Sequence, residues 1–149
     1  MEARIKNLHA LISDAWGPLV ALGKTLATSP IPEKTRGLVH LRTSQINGCA
    51  VCLDGQIAKS TETSQRLGAV AVWREAPFFS DAERAALGLA EAITRLADQP
   101  ERVRDAVWEE AKRHYDEKAL AWLVFEVAPA NLYNRLNVAT RQVAGTQRW

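Results

Sequence analysis

Apolar residues return at helical spacing along almost the whole chain, and nowhere does a run alternate apolar with polar residues as a half-buried strand requires. The pattern restricts the chain to an all-α fold. Its 149 residues suffice for one core, because 47% hydrophobic and 24% charged residues is an ordinary globular balance. One domain over 1–149 is expected, with no linker, repeat or low-complexity tract dividing it.

Prolines, glycines and caps divide the pattern into six to seven helices. A first helix is predicted over 8–27, kinked or broken at Gly17-Pro18. Ser29-Pro30-Ile31-Pro32 makes a rigid connection, and Pro32 suits the first position of a second helix running to about Ile46. Asn47-Gly48 reads as a C-cap, so a third helix opens at Cys49. On it Cys49, Cys52, Leu53, Gln56, Ile57 and Ser60 share an inward face, leaving Asp54, Ala58 and Lys59 outside. Further helices are expected over 64–73, from the capping box Ser80-Asp81-Ala82-Glu83 to about Leu96, and from Pro100 to about His114. The last runs from Glu117 toward Val143, bent at Pro129, with Leu120, Leu123, Val124 and Val127 as its apolar face.

A net charge of +2, with scattered Lys and Arg, argues against a nucleic-acid surface or a membrane-binding basic patch. The longest apolar run, 119–125, is far short of the roughly 20 residues of a membrane span. Met1-Glu2-Ala3-Arg4 lacks the apolar core of a secretory signal. These features lead us to expect a soluble, cytoplasmic protein.

The only two cysteines stand in Cys49-Ala50-Val51-Cys52, directly after the Asn47-Gly48 stop. A thiolate at a helix N-terminus is stabilised by unpaired N–H groups and the positive end of the dipole, and cysteines at i and i+3 lie on one face. The first turn also supplies a Cα spacing compatible with a disulfide. Three other readings compete with a redox centre of this kind. A thioredoxin-like site calls for a βαβ pattern, which is absent. Zinc calls for four ligands, and His9, His40 and His114 lack the paired spacing that would complete a set, so no metal or cofactor is expected. The third is two small apolar side chains packed in the core.

The surroundings of the pair are more specific. The run Leu41-Arg42-Thr43-Ser44-Gln45-Ile46-Asn47-Gly48-Cys49-Ala50-Val51-Cys52 resembles the core of the AhpD-like alkylhydroperoxidases within the carboxymuconolactone decarboxylase superfamily. Ala71-Val72-Trp73-Arg74-Glu75-Ala76-Pro77-Phe78-Phe79-Ser80, Glu83-Arg84-Ala85-Ala86-Leu87 and Tyr133-Asn134-Arg135-Leu136-Asn137-Val138 are similar to further family segments. The resemblance implies an all-helical domain assembled as a homo-oligomer (dimer, trimer or hexamer). It also implies an organic hydroperoxide substrate, with Cys52 attacking the peroxide oxygen and Cys49 resolving the sulfenic acid to a disulfide. A dithiol reductant, such as a dihydrolipoyl or thioredoxin-like protein, would then regenerate the pair.

Three positions depart from the family pattern. Its proton relay places a glutamate twelve residues before the first cysteine and a histidine four after the second; Gly37 and Gln56 stand there. Val51 replaces a tyrosine often found before the second cysteine. A glutamine amide forms hydrogen bonds but does not titrate, so the usual activation of Cys52 is missing. His40, one turn beyond Gly37, is a candidate replacement base, against the plainer reading of a surface or subunit-contact histidine. Glu33 and Glu91 are candidates too, with dipole and ion-pair roles as their alternatives. His114 suits a helix C-terminus, and His9 carries no signal. Gly37 and Gly55 together open a reading in which the neighbouring pocket is reshaped for a ligand. The sequence therefore points to a CxxC thiol peroxidase or thiol–disulfide oxidoreductase in antioxidant defence. The alternative is a non-enzymatic redox-sensing or ligand-binding oligomer. Lactone decarboxylation does not call for a CxxC pair.

Overall fold

A computed structural model describes residues 2–146. Among them lie eight α-helices: α1 (Leu8–Leu11), α2 (Ser13–Thr25), α3 (Glu33–Ile46), α4 (Ala50–Lys59), α5 (Ser64–Ala69), α6 (Asp81–Thr94), α7 (Asp105–His114) and α8 (Glu117–Ala139). Single 3₁₀ turns follow α2 at Leu26–Thr28 and α5 at Val70–Val72, and no strand occurs among the described residues. The expected all-α class is therefore observed, with one helix more than expected because the N-terminal segment divides.

The central helix is α3, which packs on α4, α6 and α8. On one side Val39 joins Ala86, Leu89, Ala90, Leu120, Leu123 and Val127 in a core shared by α3, α6 and α8. On the other, Leu38 and Leu41 meet Val70, Trp73, Phe79 and Leu87. Beside Trp73 of the second cluster sits the buried carboxylate of Glu91. It accepts hydrogen bonds from Arg42 Nε at 2.6 Å and Trp73 Nε1 at 3.0 Å and pairs with Arg74 Nη2 at 2.5 Å. Burial alone would raise this carboxyl, but Arg74, Trp73 and Arg42 together hold it below its usual value. Of the two readings for Glu91, the ion-paired one holds. Arg84 gathers the carbonyls of Trp73, Arg74, Ala76 and Phe79, which fixes the turn leading into α6. That turn ends in the expected capping box of Ser80 and Glu83.

Several boundaries differ from the sequence expectation. The first helix breaks at Ile12 (φ −118°, ψ 40°), and Pro18 lies inside α2. The proline removes a bond only to the Asp14 carbonyl, and that turn is exposed to solvent. Pro32 is the N-cap of α3 rather than its first residue, with its carbonyl accepting from Arg36 N at 3.0 Å. No helix opens at Pro100: α7 starts at Asp105 behind an extended Arg104. Helix α8 continues through Pro129 and stops at Ala139, short of Val143, where Arg141 takes φ 52°. Val124 is 37% exposed and faces outward, unlike Leu120, Leu123 and Val127.

Candidate redox site at Cys49 and Cys52

The cysteine pair is placed by a polar clasp between α3 and α8. Asn47, the C-cap of α3, donates through Nδ2 to Asn131 Oδ1 and Asn134 Oδ1, both at 2.9 Å. Asn134 in turn donates to the buried Ser44 Oγ at 3.0 Å. The next residue, Gly48, takes φ +66°, a left-handed conformation that costs a side-chain-bearing residue free energy. This turn brings Cys49 N within 3.0 Å of the Ser44 carbonyl and makes Cys49 the N-cap of α4. Cys52 then sits in the first turn of α4, where the backbone N–H groups have no intrahelical partners.

The two sulfurs form a disulfide, with Cα atoms 5.3 Å apart. Both cysteines point inward as expected. Their surroundings nevertheless differ. Cys49 is 1% exposed, enclosed behind its partner. Cys52 is 7% exposed, lines a cavity of about 480 Å³, and receives a hydrogen bond from Asn137 Nδ2 at 3.3 Å. The cavity wall includes Trp16, Val20, Val51, Gln56, Tyr133 and Asn137. Trp16 stacks edge-on against Tyr133 at 6.1 Å, and the Tyr133 hydroxyl donates to the Leu19 carbonyl at 2.7 Å, so α2 roofs the cavity over α8.

The expected inward face of α4 is corrected in part. Val51, Cys52 and Gly55 are the buried residues, whereas Ile57 is 50% exposed.

The residue pattern and the fold both match a known family. The model of the carboxymuconolactone decarboxylase family matches residues 18–92. The chain belongs to this family. Uncharacterized protein YdfG of Bacillus subtilis (strain 168) is 36% identical over 142 residues, covering 93% of this chain and 95% of YdfG. Uncharacterized protein YnjA of Escherichia coli (strain K12) is 39% identical over 114 residues, covering 74% of this chain; the match spans 61% of YnjA. A crystal structure from Agrobacterium tumefaciens, of a protein of unknown function assigned provisionally to antioxidant defence as AhpD, superposes with a TM-score of 0.91. It shares 28% identity over 98% of this chain and 100% of that one. The debrominase Bmp8 shares the fold at TM-score 0.79 and 24% identity, over 90% of this chain and 73% of Bmp8.

Within this carboxymuconolactone decarboxylase fold, Gly37 and Gln56 adjoin. A Cβ added to Gly37 would lie 2.8 Å from Gln56 Nε2, so the glutamine side chain occupies the space over the glycine. His40 borders the Cys52 cavity, and burial, with Lys59 as a lesser cause, lowers its pKa from 6.5 to about 4. It is therefore neutral at neutral pH and too weak a base to hold a proton there. Glu33 is exposed at the start of α3, His114 interacts with Glu110 at 3.3 Å, and His9 packs against Trp16 at 5.9 Å on the rim of the Cys52 cavity. Asn137 and the Asn47 clasp were present in the sequence without a signal to single them out, because their role lies in partners 84 to 90 residues away. Among the described residues no cluster of three or more His, Cys, Asp or Glu could hold a metal ion, and no helix is long and apolar enough to cross a membrane.

Proposed function

We propose that this family member is a CxxC thiol oxidoreductase of the alkylhydroperoxidase type, reducing organic hydroperoxides at Cys52. The observation that carries this reading is the asymmetry of the disulfide: Cys52 borders the cavity of about 480 Å³, and Cys49 is enclosed behind it. The helix dipole would favour thiolate at either sulfur, but only Cys52 is reached from the cavity. In the reduced protein, the Cys52 thiolate attacks the terminal oxygen of ROOH. The O–O bond breaks, the sulfur becomes sulfenic acid, and RO⁻ takes a proton to leave as an alcohol. Cys49 then attacks the sulfenic sulfur, expelling water and forming the disulfide. A dithiol, from a dihydrolipoyl or thioredoxin-like protein, returns both thiols by exchange. The aromatic and aliphatic wall of Trp16, Val20, Val51 and Tyr133 suits an organic R group better than hydrogen peroxide.

We also propose that the protein works as a cytoplasmic homo-oligomer. A second reading, a redox sensor or ligand-binding protein on the same scaffold, is favoured by the Gly37 and Gln56 pair, which lacks the family relay. The two are separated by following thiol loss when cumene hydroperoxide is added to reduced protein. The enzyme reading expects rapid loss of both thiols in the wild type, loss retained in Cys49→Ser and abolished in Cys52→Ser. Loss no faster than that of an ordinary exposed cysteine would sink it.

A further inference from the structure

A second cavity, of about 180 Å³, is lined by Gly37 and Gln56 and by neither cysteine. It shares His40, Gln56 and Lys59 with the Cys52 cavity, so one set of side chains borders both. Into it, from α8, comes Glu126. This carboxyl is 5% exposed, and its Oε2 is buried without a hydrogen-bond partner among the described groups. Around the cavity, Glu33, Lys34, Arg36 and His40 face it from α3, Lys59 from α4 and Glu62 from the turn beyond. Arg36 forms no direct hydrogen bond or ion pair with Glu126; its Nη1 donates to the Leu26 carbonyl at 2.7 Å. Its Nε is likewise buried without a partner. A buried carboxyl left in this state is destabilising, so its presence calls for an explanation.

We infer that Glu126 is the proton-relay residue of the cysteine site, reaching from α8 the space that the family glutamate would enter from position 37. The inference rests on the peroxide chemistry proposed above for Cys52. Burial pushes the Glu126 carboxyl from 4.5 to about 7, with Arg36 pulling in the opposite direction, so it exchanges protons near neutral pH. The intervening groups do not hold charge. Neutral His40 accepts a proton at one ring nitrogen while releasing one from the other, and Gln56 orients the path by hydrogen bonds. The balance is closed: the Cys52 thiol gives its proton through His40 to the Glu126 carboxylate, and the same proton returns to the departing alkoxide as the O–O bond breaks. Glu126 touches neither substrate nor sulfur and acts only through the groups between.

The test is single-turnover oxidation of reduced protein by cumene hydroperoxide from about pH 5 to 9, beside iodoacetamide alkylation of Cys52 in a Cys49→Ser background, which needs no peroxidase activity. Glu126→Gln preserves size and polarity but cannot titrate. It is expected to slow oxidation at pH 7 by about 100-fold and to remove a limb near pH 7 from both profiles. Glu126→Asp restores part of the rate, and Gly37→Glu with Gln56→His in the Glu126→Gln background restores most of it. An unchanged alkylation profile in Glu126→Gln overturns the relay whatever the peroxide result. A profile that depends on Glu126 in a wild type inert to peroxide would sustain the relay and remove the peroxidase reading. Should Glu126→Gln not fold, the same two profiles of Glu126→Asp decide, a shifted limb supporting the relay and an unshifted one overturning it.

Discussion

At the scale of single residues, three buried groups set how this protein responds to pH and to substitution. Glu126 and His40 act in opposite directions. The folded state keeps Glu126 protonated between 4.5 and about 7, where the unfolded chain has released the proton. Its contribution to stability is therefore full below 4.5 and lost as pH rises through 7. His40 is held neutral down to about 4, so its contribution is full above 6.5 and lost as pH falls toward 4. Urea midpoints across this range should show Glu126→Gln gaining on the wild type as pH rises from 4.5 to 7, and His40→Gln gaining as pH falls from 6.5 to 4. Glu91 is the structural counterpart, since three donors converge on its carboxylate. Glu91→Leu leaves Arg42 half-buried without its partner and should lower stability by about 3 kcal/mol in denaturant titration. The advantage of the wild-type carboxylate is present above pH 4.5 and fades as pH falls through its lowered folded value. At the sulfur itself, Asn137→Leu removes the hydrogen bond to Cys52. Loss of about 1 kcal/mol of thiolate stabilisation predicts roughly five-fold slower alkylation of the reduced protein at neutral pH.

At the scale of elements, the site depends on how α3 ends and α4 begins. Gly48, at φ +66°, reverses the chain between the Asn47 cap and the Cys49 cap. Gly48→Ala should cost about 1 kcal/mol by thermal melting and, because the same turn aims both sulfurs, should also slow peroxide reaction. The two prolines within helices teach a related point. Pro18 was expected to kink or break its helix and Pro129 to bend its own; neither breaks its helix, and the break in the N-terminal segment falls at Ile12. One lost hydrogen bond is outweighed when the rest of the element is held by packing, as α8 is by Leu120, Leu123 and Val127. Asn47-Gly48 and Ser80 with Glu83 mark their boundaries because each satisfies specific backbone groups locally.

At the scale of the whole molecule, the disulfide closes too short a loop to act as a staple. A cross-link of this span removes about 2 kcal/mol of unfolded-state freedom, against much more for a bridge between distant segments. Reduction should lower the melting temperature by only a few degrees and leave the helical circular dichroism unchanged, as the reaction cycle proposed for it requires. The fold is held instead by α3 and its neighbours, and by ties between the ends of the chain: Arg4 N to the Thr140 carbonyl at 2.8 Å, and Gln142 Nε2 to the Ile5 carbonyl at 2.8 Å.

The sequence by itself determined the helical class, the capped boundaries and the cysteine pair, because periodicity, caps and i,i+3 spacing are local properties that a residue and its near neighbours fix. The resemblance around Cys49 and Cys52 further identified the family and singled out Gly37 and Gln56. Only the tertiary structure decided which sulfur meets a cavity, why Gln56 lies over Gly37, and that Glu126 reaches the same space from a helix far along the chain. Glu126 stood within an apolar stretch of α8 and gave no periodic or motif signal. Its significance comes from burial beside α3 and α4, and burial is a property of the packed molecule.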